Sequence, residues 1–289
     1  MPASACPSRA TTEALIHDRL EGAERRAAQE HLEHCAACRG LFRQATADWF
    51  PRIRQYTIVE RIGRGGFGEV FRAVHHAKER TEALKVLSEE SGVRVRYFQN
   101  EVHLVARLRH PNIATLYEAN LNNPPLYFTM EFVEGEQLGA YLKRQQLGLD
   151  QRLRLFRTIA EAVGHAHTQG VVHRDIKPQN VLIDATGQPR LVDFGIAKWL
   201  DAPTDGRGRA GPVEGAVGTY GYIAPEQRSG GPVDTRADIY GLGALLFHMV
   251  TGEPAQRAAR TARLGRLLHK WHVARADDLA AIIGRCLEP

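Results

Sequence analysis

The rhythm of apolar and polar residues divides this chain of 289 residues into three zones. Residues 1–49 are rich in Ala, Glu, Arg and His, contain no strand-like stretch, and read as two or three short helices. Around Pro51 the rhythm shortens. Tyr56–Ile62, Glu69–Val74, Glu82–Leu87, Ala114–Ala119 and Tyr127–Phe132 are β-branched or apolar runs separated by turn residues, and predict strands. One helix is predicted among them, from about Arg96 to Leu108, with Phe98, Val102, Val105 and Leu108 at helical spacing. From Gln137 onward the period is mainly helical. Leu155, Ile159, Val163 and Ala166 form one stripe, and Ile239, Leu242, Leu246 and Val250 another. Between the stripes lie two short strand-like pieces, Val181–Ile183 and Leu191–Val192, and a Gly-, Ala- and Arg-rich loop from Lys198 to Ile223. Loops of such length in compact domains are usually functional. A strand-rich part followed by a helical part predicts an α+β protein in two lobes.

Composition narrows the classes. Hydrophobic residues make up 43% and charged residues 25%, which excludes a wholly disordered or membrane-embedded chain. Thirty-eight basic against 33 acidic residues leave +5, a mild excess that is weak evidence for nucleic acid, whose dedicated binders usually show a clustered basic stripe. No apolar run approaches the ~18 residues of a membrane span, and the N-terminus lacks the regions of a signal peptide. A cytoplasmic location is expected, with a membrane anchor in a longer parent protein as the alternative. Four cysteines do not make a disulfide scaffold, but Cys6, Cys35 and Cys38 crowd into the first 40 residues, which suggests a metal.

Three stretches carry phosphate chemistry. Gly63-Arg-Gly65-Gly66-Phe67-Gly68 lies between two predicted strands, where glycines let backbone amides approach phosphates. A dinucleotide fold would place a helix after these glycines; a strand beginning at Val70 follows instead. Lys85 sits in the apolar strand Ala83-Leu-Lys-Val-Leu, and Glu101 on the predicted helix offers it a counter-ion. His173-Arg-Asp175-Ile-Lys177-Pro-Gln-Asn180, followed by Asp193-Phe-Gly195, supplies a carboxylate to accept a hydroxyl proton, a cation beside a moving phosphoryl group, and two hard oxygen ligands for magnesium.

With these motifs the chain resembles eukaryotic-type (Hanks-type) Ser/Thr protein kinases of bacteria, from about Tyr56 to the C-terminus. Ala224-Pro-Glu226 and Asp238 belong to the same resemblance, and Lys177 and Thr219 match the Ser/Thr branch. It implies a bilobal fold with a β-rich N-lobe and a helical C-lobe, and transfer of the γ-phosphoryl of MgATP (or its manganese form) to protein hydroxyls. Asp175, Lys177, Asn180, Lys85, Glu101 and Thr219 would be the catalytic set. Ile62, Gly63, Gly65, Gly66, Phe67, Gly68, Val70, Ala83, Lys85, Met130, Glu131, Val133, Leu182 and Asp193 would bind nucleotide, and Asn180 with Asp193 would hold the metal. Small-molecule phosphotransferases share the Asp–Asn loop but usually lack Lys177 and the Ala-Pro-Glu and Gly-Thr elements. Two departures stand out. The loop before Gly218-Thr219 offers Thr204 and Thr219 as phosphosites, so Glu214 is a candidate permanent anion for Arg174. The sequence also stops where the family usually continues into a last helix. That favours, as the alternative, a weak or inactive kinase-like scaffold acting through the N-terminal segment.

That segment contains His31-x3-Cys35-x2-Cys38. On one continuous helix these positions share a face and point to one tetrahedral centre needing a fourth ligand. Cys6 is the first candidate for it, with His17 and His34 behind. The stretch also resembles the zinc-binding anti-sigma-factor module, which implies a zinc ion and a protein partner such as a sigma factor. The expected organisation is a small all-α zinc module at 1–49, a linker at 50–55 and a Ser/Thr kinase domain at 56–289, with lobes at 56–133 and 134–289. Protein Ser/Thr substrates are expected and nucleic acid is not. Activation in a dimer would suit a loop short of phosphosites.

Overall fold

The computed structural model describes residues 6–8, 11, 14–15, 20–45, 51, 53–65, 68–87, 102–194, 220–253, 268–269 and 275–288. It falls into two compact units, Met1–Glu89 with Leu116–Phe132, and Glu90–Thr115 with Val133–Pro289. Among the described residues no helix is long and apolar enough to cross a membrane.

The first unit contains helices α1 (Gly22–His34) and α2 (Ala36–Ala45) and strands β1 (Tyr56–Gly65), β2 (Gly68–His75), β3 (Arg80–Leu87), β4 (Leu116–Asn120) and β5 (Tyr127–Glu131). The strands form one antiparallel sheet in the order β1-β2-β3-β5-β4. Strand alternation sorts its two faces. One buries Tyr56, Ile58, Phe71, Ala73, Leu84 and Tyr127 around a polar contact in which the Tyr56 hydroxyl donates to Glu82 at 3.0 Å. Glu82 is fully buried and is also held by the Arg80 guanidinium at 2.7 Å. The other face carries Val74, and a bulge between Ile58 and Glu60 adds Val59 to it.

Helices α1 and α2 close over that second face. Leu32 and Phe42 pack on Val59 and Val74, and all four are at most 2% exposed. Burying one such side chain contributes ~1.5–3 kcal/mol. Glu33 of α1 pairs with Arg72 of β2, and Arg25 pairs with Glu60 of β1 at 3.0 Å. The continuous helix expected through His31, Cys35 and Cys38 is interrupted: Cys35 is extended, at φ −113° and ψ 103°. The buried Arg39 guanidinium satisfies the carbonyls this break frees, donating to Leu32 O at 3.2 Å and Glu33 O at 2.6 Å.

The second unit contains β6 (Gly135–Gln137), α3 (Leu138–Gln145), α4 (Leu149–Thr168), a 3₁₀ turn at Pro178–Asn180, β7 (Val181–Asp184), β8 (Pro189–Leu191), a second turn at Tyr220–Tyr222, α5 (Pro225–Ser229), α6 (Thr235–Thr251) and α7 (Ala276–Cys286). Strands β6, β7 and β8 form a small antiparallel sheet. The core gathers Tyr240, Ala244, Leu246 and Phe247 of α6 with Leu279 and Ile283 of α7. Helix α6 starts on the Asp234 side chain, which accepts from the Arg236 amide, and stops at Gly252 with φ 73°.

The α4 stripe lies where the period puts it, with Ile159, Val163 and Ala166 buried. The α6 stripe does so in part: Leu246 is buried and Leu242 and Val250 are half-buried, but Ile239 is 43% exposed, and Ala237, Tyr240, Leu245, Phe247 and Met249 off the stripe are buried as well. Helix α6 is covered from several sides, including by α7 and by Ile176, so a one-face periodicity misorders its positions. Strand β6 gives no period of its own in three residues. The predicted helix at 96–108 is helical over residues 102–105; its earlier part and most of the loop at 198–223 lie outside the described residues.

Candidate active site and metal centre

In the first unit the glycine stretch is the tip of the β1–β2 hairpin, with Gly63 opposite Val70 and Gly65 opposite Gly68. Gly68 has φ +136°, and a Cβ there would stand 2.0 Å from the Val86 carbonyl oxygen. Only glycine fits. On β2 and β3, Val70 faces Lys85 and Arg72 faces Ala83. Across β3, Ala83 faces Met130 and Lys85 faces Phe128, whose ring centroid is 5.8 Å from the Lys85 ammonium. Val70, Ala83, Lys85 and Met130 therefore share one face of the sheet. Ile62, directly before Gly63, is 45% exposed, and Glu131 ends β5. Gly66, Phe67 and Glu101 lie outside the described residues, as do Gly195, Thr204, Glu214 and Thr219.

In the second unit the polar residues of the His173–Asn180 stretch converge. The Asp175 carboxylate accepts from the Lys177 ammonium at 2.9 Å and from the Asn180 side-chain amide at 2.8 Å. The same amide nitrogen donates to the Asp175 carbonyl at 2.8 Å. That leaves the Asn180 amide oxygen as the acceptor still available for a cation. The Val192 amide donates to the Asn180 carbonyl at 3.0 Å, which ties this loop to the segment carrying Asp193. Asp193 and Arg174 both lie in the left-handed region, at φ 54° and 64°. Such angles cost a residue with a side chain ~1–2 kcal/mol and persist where neighbours enforce them.

At Arg174 the enforcing group is Asp238, 1% exposed at the start of α6. Its carboxylate accepts from the His173 and Arg174 amides and contacts His167 Nε2, each at 2.7 Å. The Arg174 carbonyl accepts from Gln227 at 2.9 Å. His173 is fully buried against the Phe194 ring at 4.4 Å between centroids. Gly241 lets α6 run beside the loop, because a Cβ there would meet Ile176 at 3.0 Å. His167 and Gln227 were not singled out from the sequence. A histidine in the last turn of an apolar helix, six residues before His173, was the available signal. Leu182 and Val133 belong to this second unit, Leu182 on β7 opposite Gln137 and Val133 two residues after the end of β5.

The N-terminal ligand candidates are brought together. One ligand atom from each of Cys6, His31, Cys35 and Cys38 lies within 4.8 Å of all the others. The Cys6 and Cys35 sulfurs are 4.0 Å apart. Cys6, 25 residues before His31 in the chain, thus joins the three; His34 instead turns its Nδ1 to the Glu30 carbonyl at 2.9 Å, and His17 lies outside the described residues. The break at Cys35 has a chemical consequence. The Cys38 backbone amide, with the neighbouring Cys38, His31 and Cys6 groups, lowers the Cys35 thiol to about 6, against burial. Burial and the adjoining thiols push Cys38 up to about 12. Three thiols and an imidazole this close together make a soft donor set of the type zinc takes.

Comparison with known proteins matches residues 56–275 to the protein kinase domain family. The chain is 38% identical over 213 residues to the serine/threonine-protein kinase PknD of Mycobacterium tuberculosis, covering 72% of this chain and 31% of that one. It is 36% identical over 217 residues to PknF of the same organism, covering 72% of this chain and 45% of the other. The chain thus spans less than half the length of these relatives. The crystal structure of the Mycobacterium tuberculosis PknI kinase domain aligns with a TM-score of 0.57 and 27% identity, covering 82% of this chain and 98% of that one. The β-sheet unit and the helical unit are those of the bilobal fold seen there.

Proposed function

The chain belongs to the protein kinase domain family, and from that premise we propose that it is a Ser/Thr protein kinase that transfers the γ-phosphoryl of MgATP to protein hydroxyls. The observation that supports this reading best is the Asp175–Lys177–Asn180 group. Asp175 orients the acceptor hydroxyl and takes its proton; Lys177 holds that carboxylate in place and adds positive charge where the phosphoryl group passes. The Asn180 amide oxygen and the Asp193 carboxylate form a hard oxygen donor set, which suits magnesium and not a soft metal. Magnesium, when bound, neutralises and aligns phosphate oxygens. Lys85 orients the α- and β-phosphates, and Val70, Ala83 and Met130 on the same face of the sheet supply apolar contact to the base.

Incubation of the purified chain with labelled MgATP and a generic basic protein tests this. Wild type is expected to incorporate label. Asp175→Asn is expected to incorporate none while binding nucleotide as before. Equal incorporation by both would remove Asp175 from its role; no incorporation by wild type, with nucleotide still bound, would favour the scaffold reading.

We also read Cys6, His31, Cys35 and Cys38 as a structural zinc site. Helices of 13 and 10 residues are marginal by themselves, and a metal would supply their missing folding energy. A protein partner of this segment, such as a sigma factor, would have to use its outer surface, where Leu41 stands 64% exposed, because Leu32 and Phe42 are buried against the sheet.

A further inference from the structure

We propose that the N-terminal metal centre is an allosteric input to the nucleotide face of the β-sheet, transmitted through Leu32, Glu33 and Arg72. The inference rests on the readings above that this centre holds zinc and that the sheet face holds nucleotide. It goes beyond them in joining the two sites energetically.

The connection follows from strand geometry. Side chains two apart on a strand share a face and stand ~7 Å apart. On β2 that face reads Val70, Arg72 and Val74. Val70, opposite Lys85, is the candidate base contact. Arg72 is gripped by Glu33 of α1 and lies with its guanidinium 5.0 Å from the Phe132 ring centroid. Val74 is fully buried beneath Leu32 and Phe42. One strand face therefore carries helix contacts at one end and nucleotide contacts at the other, with a charged, 14% exposed arginine between them.

The metal end is equally direct. His31 is a ligand candidate, and the next two residues in the chain, Leu32 and Glu33, make the contacts to β2. Cys38 packs against the same apolar cluster, and Phe42 lies one helical turn further along α2. Arg39 locks the two helices across the Cys35 break. Losing the metal frees the arrangement of His31, Cys35 and Cys38. That loosens the helix turn holding Arg72 and uncovers Val59 and Val74. Val59 is the extra residue of the β1 bulge, so its release lets the hairpin that carries Gly63–Gly68 change twist. Sites coupled in this way affect one another by the same factor in both directions.

The test uses the full chain. Zinc content is measured first. ADP affinity is then determined by calorimetry for the zinc-loaded and chelator-stripped forms, and zinc affinity is determined by competition with a chromophoric chelator, with and without saturating ADP. Zinc removal is expected to weaken ADP binding about tenfold, and ADP to tighten zinc binding by the same factor. Amide exchange along β2 is expected to rise on stripping. In Arg72→Ala, zinc still binds at one per chain, but ADP affinity no longer responds to it. Zinc and ADP both binding, each indifferent to the other within roughly twofold, overturns the inference and leaves both underlying readings standing. A chain that binds no zinc overturns the metal reading and the inference together. If Arg72→Ala fails to fold, the two-way measurement on wild type still decides.

Discussion

Replacing Asp238 tests whether the catalytic loop is held by a buried carboxylate. Its oxygens accept two backbone amides, from His173 and Arg174, and contact His167, all at 2.7 Å. A hydrogen bond to a charged acceptor contributes ~1.5–3 kcal/mol. Asp238→Ala leaves both amides without that acceptor next to a fully buried His173, while His167, with 19% side-chain exposure, can rehydrate. The two amides alone set a loss of about 3–6 kcal/mol, a large share of the ~5–15 kcal/mol that holds a typical domain folded. Asp238→Asn is gentler. Its single amide oxygen can serve one amide, but its NH₂ then faces another donor, so about half that loss is expected. The effect on chemistry should exceed the effect on folding. Arg174 is kept at φ 64° by these bonds, and Asp175 is the next residue. A relaxed Arg174 displaces the Asp175 carboxylate, and a misplacement of ~1 Å costs roughly 10²-fold in rate. Urea unfolding followed by circular dichroism gives the stability, and single-turnover label transfer gives the rate. Asp238→Asn should lose about 1.5–3 kcal/mol and about 10²-fold in transfer, with nucleotide affinity unchanged. An Asp238→Ala chain within about 0.5 kcal/mol of wild type, transferring label at the wild-type rate, would refute the reasoning.

Two further outcomes follow from packing and burial. Gly243 faces Cys286 so closely that an added Cβ would lie 2.5 Å from the Cys286 Cβ; Gly243→Ala should cost ~1–3 kcal/mol in urea unfolding, and Cys286→Gly in the same chain should recover most of it. Burial, with Lys143 and Arg152 nearby, holds His248 below its ordinary value of 6.5, against its bond to the Glu253 carbonyl at 3.0 Å. The unfolded chain therefore binds this proton more readily; the stabilising contribution is complete above pH 6.5 and is lost as pH falls below it. The thermal midpoint should drop on acidification below that pH, and His248→Gln should flatten the drop; an unchanged slope would exclude His248 as its source.

Much of this arrangement was legible in the sequence because the relevant signals are local. The β1 to β3 strands announce themselves by β-branched alternation, and Asp175, Lys177 and Asn180 lie within six residues, so their meeting needs little tertiary folding. What escaped has a physical reason in each case. His167 and Asp238 are 71 residues apart, and only the packing of α4 against α6 joins them. The α6 stripe misordered its positions because helices covered on several sides do not obey one-face periodicity. The break at Cys35 left no propensity signal, since Ala-rich sequence on either side favours unbroken helix. The docking of α1 and α2 on β1–β2 was hidden for a similar reason: nothing local to residues 1–49 says that the partners of Leu32 and Phe42 are Val59 and Val74.

The strained residues explain why the polar network is so dense at this point. Arg174 and Asp193, both at positive φ, precede Asp175 and Phe194. Placing the Asp175 and Asp193 carboxylates as the proposed reaction needs them takes backbone turns that local preference resists by ~1–2 kcal/mol each. A loop left to itself would relax. Here Asp238 holds the amides of His173 and Arg174, Gln227 holds the Arg174 carbonyl, and Asn180 bridges the Asp175 carbonyl to the Val192 amide. Each tether arrives from a different part of the unit: α6, α5 and the turn before β7. The two carboxylates therefore hold their positions only as well as those three elements pack. That is why the most informative substitutions, Asp238→Asn and Gly243→Ala, lie in α6 rather than among the residues that would touch nucleotide.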